Sequence, residues 1–373
     1  MADLLKLMES KLFVNPDAEI KTRNDIQYRD FSWRKLWESA ERMDRSGELM
    51  EANSQSTFGQ LLRYGIQSIA NKWYKTVPVI YPSFVQENSS NNRQEWYAPL
   101  YRPTLPKKVG PQGRYEETNI KGVDREIVNW KFGAIEAYEK ELFINDQTGQ
   151  IKDRAGMMGE NMKITEEINA VGKLSGQALT FGNIVVDASN YTTVNENGVT
   201  CGVYDVNLGN RPATFARLGF GTLGDAYKAL LQMKDPLGNK MLVLPNLLVV
   251  SPTDVLNAPQ LLHSVYYPAV PGAPAQTAAT ASSGTTGWTM SENPLAGMFD
   301  WKMSRFLPDN AWYLGEAKKG LIFQRRTPLE VVQEMPNTGR HFEADVFRFK
   351  TAAMWEVEWV ESRFWYCGDD GSI

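Results

Sequence analysis

The 373-residue chain is short of the side chains from which most enzymes build a reactive centre: it has only two cysteines, Cys201 and Cys367, and two histidines, His263 and His341. Cysteines so far apart, with no CxxC pair, give no disulfide framework and read as reduced thiols. Without an HExxH pattern or a His/Cys cluster there are few ligands for a transition metal, and histidine acid–base chemistry has few candidates. No metal and no cofactor is expected. Charge of one sign is lacking too: 40 basic against 44 acidic side chains leave a net charge of −4, so no overall field draws the chain onto phosphate. Any grip on nucleic acid would have to be local. No apolar run approaches the ~18 residues of a membrane helix, and the opening MADLLKLMESKLFVNPD lacks the basic stretch and apolar core of a secretory leader. The chain reads as cytosolic, without a membrane contact.

What is present is the composition of a folded protein, 42% hydrophobic and 23% charged, with length for two or more cores. The longest helix-compatible run, free of proline, is 147–179. Ile151, Ala155, Met158 and Met162, then Ile164, Ile168, Val171, Leu174 and Ala178, recur at helical spacing and make one apolar face. The opposite face carries Lys152, Asp153, Glu160, Glu166, Glu167 and Lys173. At ~1.5 Å per residue this helix spans roughly 50 Å, more than the width of an ordinary domain. Either it lies along a sheet with its charged face in solvent, or it is a spine from which separate lobes hang.

Upstream, residues 1–30 read as a polar arm. A helix is expected from Trp33 to about Arg45, capped by Ser32, with Trp33, Leu36 and Trp37 on one side. A second begins near Phe58 and ends before Pro78, its stripe being Phe58, Leu61, Leu62, Ile66, Ile69, Ala70 and Trp73. Neither helix has an evident strand partner, so both are expected to dock on the body of the chain or on a neighbouring copy. From Pro82 to Ile120 the chain holds Pro99, Pro103, Pro106 and Pro111 and a basic cluster of Arg102, Lys107, Lys108 and Arg114, a long stretch expected to lack its own core. Its aromatic residues, Trp96, Tyr97, Tyr101 and Tyr115, argue against disorder and for a partner surface. Interleaved basic and aromatic residues also suit a nucleic-acid strand, though Glu95, Glu116 and Glu117 oppose it. The alternation Val128, Trp130, Phe132 then reads as a strand, which makes the basic loop the far end of a two-stranded excursion.

Downstream, Gly219-Phe220-Gly221-Thr222-Leu223-Gly224 is a literal GxGxxG. A dinucleotide fingerprint needs a buried strand before the first glycine and an acidic residue ~20 residues on. Here Pro212–Leu218 is a poor strand, and the first acidic residue after the next strand is Asp254. A nucleotide-binding enzyme using Gly219–Gly224 is therefore the lesser reading, and a glycine-rich turn into a helix Leu223–Met233 capped by Thr222 the better one. Leu247–Val250 is continuously apolar and reads as a central strand, followed by a helix start at Ser251-Pro252-Thr253-Asp254. Residues 266–290 are low in complexity and read as an exposed loop. Trp312–Leu314 and Gly320–Gln324 are expected as two strands of the same α/β lobe. The closing stretch alternates, with Phe347 and Phe349, then Met354, Glu356 and Glu358 against Trp355, Val357 and Trp359, as a pair of long half-buried antiparallel strands that pack on the long helix.

The step Pro245-Asn246-Leu247-Leu248-Val249-Val250-Ser251-Pro252, the restart Asn293-Pro294-Leu295-Ala296-Gly297, Trp312-Tyr313-Leu314 followed by Leu321-Ile322-Phe323-Gln324, and the strands from Asp345 to Trp365 come in a familiar order. In that order, over roughly residues 55–367, the chain resembles the major capsid protein of tailed bacteriophages, in detail the major head subunit of Mu-like phages. The proline-rich loop and residues 266–290 depart from the shorter pattern of that family. The resemblance implies an α+β tailed-phage capsid fold: an arm with two amphipathic helices (1–80), an extended β-hairpin loop (81–145), a peripheral domain with the spine helix (146–182 and 338–373) and an α/β axial domain (183–337). It implies a structural, non-enzymatic subunit that self-assembles as hexamers and pentamers into an icosahedral shell around double-stranded DNA. The virion would be its location and the host cytoplasm its place of assembly, with separate scaffolding, portal and decoration proteins as partners. Contacts between subunits would come from Trp96, Tyr97, Tyr101, Arg102, Lys107, Lys108, Arg114 and Tyr115 in the loop and from Trp33, Leu36 and Trp37 in the arm. Some relatives cross-link such loops through lysine and asparagine; Lys107 and Lys108 lie in the right region, but no motif identifies a partner asparagine. A non-viral nanocompartment shell of the same fold is the alternative.

Overall fold

The computed structural model describes residues 54–98, 108–111, 113–115, 124–139, 141, 150–214, 216–264, 293–334 and 346–368, with side chains placed from Gly65 onward. In chain order the helices are α1 (Ser54–Thr76), α2 (Tyr81–Phe84), α3 (Gln150–Ser175), α4 (Phe220–Leu231) and α5 (Asn257–His263). The strands are β1 (Gln86–Ser89), β2 (Gln94–Tyr97), β3 (Arg125–Val128), β4 (Trp130–Glu139), β5 (Leu179–Phe181), β6 (Ile184–Val186), β7 (Thr193–Val194), β8 (Thr200–Cys201), β9 (Leu247–Val250), β10 (Asp300–Met303), β11 (Trp312–Gly315), β12 (Leu321–Gln333), β13 (Val346–Trp359) and β14 (Trp365–Gly368). Two compact units result: one from the described parts of 1–77, 131–164 and 327–354, the other from those of 78–130, 165–326 and 355–373. The architecture is α+β.

In the first unit α1 and the leading part of α3 accompany strand segments ordered β12, β13, β4. The helical stripes read from sequence are buried, with Ile66, Ile69 and Ala70 on α1 and Ile151, Ala155, Met158 and Met162 on α3. Two glycines set the spacing between these helices. A Cβ on Gly159 would sit 2.0 Å from the Ala70 carbonyl oxygen, and one on Gly156 would sit 2.3 Å from the Trp73 ring, so only glycine allows this approach. Tyr138 of β4 meets Phe349 of β13 edge-on at 5.8 Å and closes the core.

The second unit is built on a sheet ordered β10, β9, β11, β14. β9 is its centre, parallel to β10 and antiparallel to β11, and Leu247–Val250 are buried on both faces, as a continuous apolar run requires. Leu223, Ala226 and Leu230 of α4 and Ala258, Leu261 and Leu262 of α5 share a core with Leu248, Val250, Trp312 and Leu314. The low-complexity stretch 266–290 lies outside the described residues; past it, Asn293 is tied to α5, its amide donating to Leu261 O at 2.7 Å and its side-chain oxygen accepting from Leu295 N at 3.0 Å. A second sheet in this unit runs β1, β12, β13, with β1 parallel to β12.

Several expectations change. Among the described residues the long helix is Gln150–Ser175, ending short of 179, and its charged face is not uniformly solvated: Glu166, Glu167 and Lys173 are buried while Asp153 is exposed. The stretch from Pro82 is not coreless at its start, because Phe84 and Val85 are buried and Gln86–Ser89 pair with Ile322–Arg325. β11 and β12 do not share a sheet, since β11 pairs with β9 and β14. The closing pair of strands is one 14-residue strand, β13, plus β14, which returns to β11. In β13 the odd-numbered residues from Phe347 to Trp359 are the buried ones. Gly219 is the N-cap of α4, so Thr222 lies inside the first turn, where its Oγ1 accepts from Gly219 N at 2.9 Å. The expected start after β9 is a 3-10 turn, Pro252–Asp254, and α5 begins only at Asn257.

Candidate functional site

β2 and β3 pair antiparallel, with Trp96 opposite Glu126 and Tyr97 opposite Arg125. Alternation along a strand sends neighbours to opposite faces, so Trp96 and Tyr97 do not form one patch. Trp96 is 62% exposed, whereas Tyr97 is half-buried with its hydroxyl 3.4 Å from Glu95 Oε2; burial first, then Glu95 against a bond from Asn88, raises its pKa. Beyond the strands Tyr115 is 86% exposed, and Lys108 and Arg114 are exposed as well. Trp130, which the sequence placed only in an alternation, is 59% exposed just past the hairpin. Tyr101, Arg102 and Lys107, and Trp33, Leu36 and Trp37 of the arm, lie outside the described residues.

The base of the hairpin is held by polar contacts. Asn129 donates from its backbone to Arg93 O at 2.8 Å and from its side chain to Asn92 O at 2.9 Å. Arg125 lies over the Tyr191 ring at 4.5 Å and donates to Thr192 O. Tyr191 in turn donates to Glu361 Oε1 at 3.1 Å, and burial with the Glu361 charge pushes the phenol up to about 12. Glu361 clamps the fully buried Arg363 through both carboxylate oxygens, at 2.9 and 3.0 Å, while Arg363 also reaches Thr193 Oγ1 and Val194 O. A chain of charge-assisted bonds thus links the interior to the first residue of β3.

A second anchor precedes β1. Glu166, fully buried on α3, takes a two-pronged bond from Arg325, Nη1 to Oε1 at 2.6 Å and Nη2 to Oε2 at 3.1 Å. It also accepts from the Tyr81 hydroxyl at 2.9 Å. Next to it, Glu167 Oε2 accepts from the backbone N–H of Ile80 and of Tyr81 at 3.1 and 2.9 Å, which satisfies the open donors at the start of α2. The Tyr81 ring stacks on Phe323 at 5.0 Å, and Phe323 on Trp355 at 6.4 Å. Burial, then the Glu166 charge, lifts the Tyr81 phenol far above its usual range, against Arg325, so it stays protonated: its O–H donates to Glu166 and its oxygen accepts from Arg325 Nη2 at 3.3 Å. Sequence reading missed this anchor, though it held one signal: Met158, Met162, Glu166 and Ala170 recur every four residues, so Glu166 continues the buried stripe.

These groups hold chain segments in place; among the described residues no set of three or more His, Cys, Asp or Glu could hold a metal ion. Neither cysteine is in a disulfide and both are buried, and no helix among the described residues is long and apolar enough to cross a membrane. The chain before Gly219 is irregular, so the GxGxxG has no strand leading into it. Compared with known proteins, the chain has no match among the curated ones. Among solved structures it is similar to one titled Microbacterium phage Oxtober96 (11% identity, TM-score 0.48, 79% of this chain and 91% of the other), to the asymmetric unit of the bacteriophage PhiM1 mature capsid (12%, 0.45, 80% and 89%) and to a virus-like particle from Pyrococcus furiosus (9%, 0.44, 82% and 98%). At such identities the likeness is loose, and the assignment rests on a match of sequence: the family described as phage capsid protein covers residues 131–366, well over half of the chain. The chain therefore belongs to the phage capsid protein family, and it is a capsid protein.

Proposed function

We propose that this chain is the major head subunit of a tailed phage of the Mu-like kind, closing as hexamers and pentamers into an icosahedral shell around double-stranded DNA. Assembly would take place in the host cytoplasm, with separate scaffolding and portal proteins and with decoration proteins added outside. The observation that carries the reading is a hairpin held at its base while two aromatic residues of the excursion stand in water: Trp96 is 62% exposed and Tyr115, beyond the strands, 86% in the lone subunit. Large exposed aromatics are costly in isolation and suit a surface on the next subunit. Lys108 and Arg114, exposed on the same excursion, would meet acidic side chains there. With a net charge of −4, the chain can line a DNA-filled interior without adhering to it. The test is the double variant Trp96→Ser, Tyr115→Ser in the full-length chain. Folded subunits with unchanged circular dichroism that no longer form closed particles are the expected result, and particles at wild-type yield would overturn the reading.

A further inference from the structure

The end of α3 lies beside a second group of charges that plays no part in anchoring the hairpin. Lys173, 8% exposed, donates to Glu358 Oε2 at 2.9 Å, and Ser189 donates to Glu358 Oε1. The Trp359 indole donates to Lys173 O at 2.7 Å, so both the side chain and the backbone of Lys173 are tied to β13. Two residues earlier on that strand, Glu356 accepts from Val357 N at 3.1 Å. The charges that act on it are Lys173 from α3, Glu358 from its own strand and Asp187 from the segment after β6. Glu356 thus feels one ammonium group and two other carboxylates, and the ammonium group is already paired with Glu358.

The strand itself supplies a reason for one carboxyl to keep its proton. In β13 the odd-numbered residues are the buried ones, so Glu356 and Glu358, two residues apart, lie on one face. Glu358 already holds the Lys173 ammonium at 2.9 Å and accepts from Ser189, so a second negative charge beside it is disfavoured and the neutral form of Glu356 is favoured.

We propose that Glu356 is a proton-operated latch on the end of the long helix: protonated, it leaves Lys173 to Glu358 and keeps α3 seated on β13; ionised, it competes for Lys173 and loosens that junction. Burial is the main influence on this carboxyl; Lys173 lowers its pKa while Glu358 and Asp187 raise it, and the outcome is about 7 against an ordinary 4.5. The folded value lies above the unfolded one. The stabilisation is therefore complete below about pH 4.5 and is lost as the pH rises through about 7.

Hydrogen exchange of peptides covering residues 165–175 in the full-length chain, corrected for the intrinsic pH dependence of exchange, reads the latch locally. Between about pH 5.5 and 8.5 protection should fall by on the order of tenfold to a hundredfold. In Glu356→Gln, a neutral isostere, it should stay level and exceed wild type at the alkaline end. An equal fall in wild type and Glu356→Gln overturns the proposal. Should Glu356→Gln fail to fold, Glu358→Gln decides: it frees Lys173 for Glu356, so the fall must move to lower pH, and an unmoved fall overturns the proposal.

Discussion

Replacing Arg325 by Met should be among the most damaging single changes in the second unit, although Arg325 is a surface-class residue in the middle of a strand. The side chain is 23% exposed and its partner, Glu166, 0%. Methionine keeps most of the packing over Phe323, which the guanidinium covers at 4.9 Å. What is lost is the charge facing a carboxylate with no access to water. Removing one member of such a pair costs about 3–5 kcal/mol, because the remaining ion stays buried. Replacing both members by apolar residues of similar size costs far less and is often neutral. Arg325→Met should therefore lose about 3–5 kcal/mol, and Arg325→Met with Glu166→Leu should recover most of it. Denaturant unfolding of the full-length chain, with the coupling energy taken from the four-member cycle, gives the answer. Losses that simply add, or a single-variant loss below about 1 kcal/mol, would refute the reasoning, because the pair would then behave as a solvated surface bridge.

Gly159→Val places a side chain where the Ala70 carbonyl oxygen is 2.0 Å from even a Cβ, so the melting temperature should drop, with a loss of about 1–3 kcal/mol or more. Gly320→Ala should lose a comparable amount, since φ is +87° and its Cβ would lie 2.1 Å from Glu361 O. Arg125→Ala removes the stack on Tyr191 and the bond to Thr192 O; limited proteolysis should then cut the hairpin faster while global unfolding shifts by less than about 1 kcal/mol. Charge reversal at Lys108 and Arg114, both exposed, should lower the yield of particles, with partial recovery at high salt as the new repulsion is screened; wild-type yield at all salt concentrations would exclude an electrostatic role.

Sequence alone shows an element clearly where one short-range pattern dominates. Ile151, Ala155, Met158 and Met162 follow the turn of a helix, Leu247–Val250 form an unbroken apolar run, and Phe347 to Trp359 alternate; all are buried as those patterns require. It fails where burial depends on a partner far along the chain. Glu166 and Glu167 are adjacent acids on a helix, a pattern that reads as solvated, and partners far along the chain make the burial of Glu166 tolerable, Arg325 159 positions on and Tyr81 85 positions back. The segment Gln86–Ser89 has no β-branched or apolar residue, so its place in a sheet follows from parallel pairing with β12 and not from its own preference. In the hairpin, the alternation that identifies the strands also separates Trp96 from Tyr97, a detail that a list of aromatic residues conceals.

The central claim is that this chain, by itself or with a scaffold, builds a closed shell. Negative-stain electron microscopy with size-exclusion light scattering on the purified full-length chain tests it most directly. Closed particles, or five- and six-membered rings, are the predicted result. A species that stays strictly monomeric when concentrated, and when a scaffold protein is co-expressed, would contradict it.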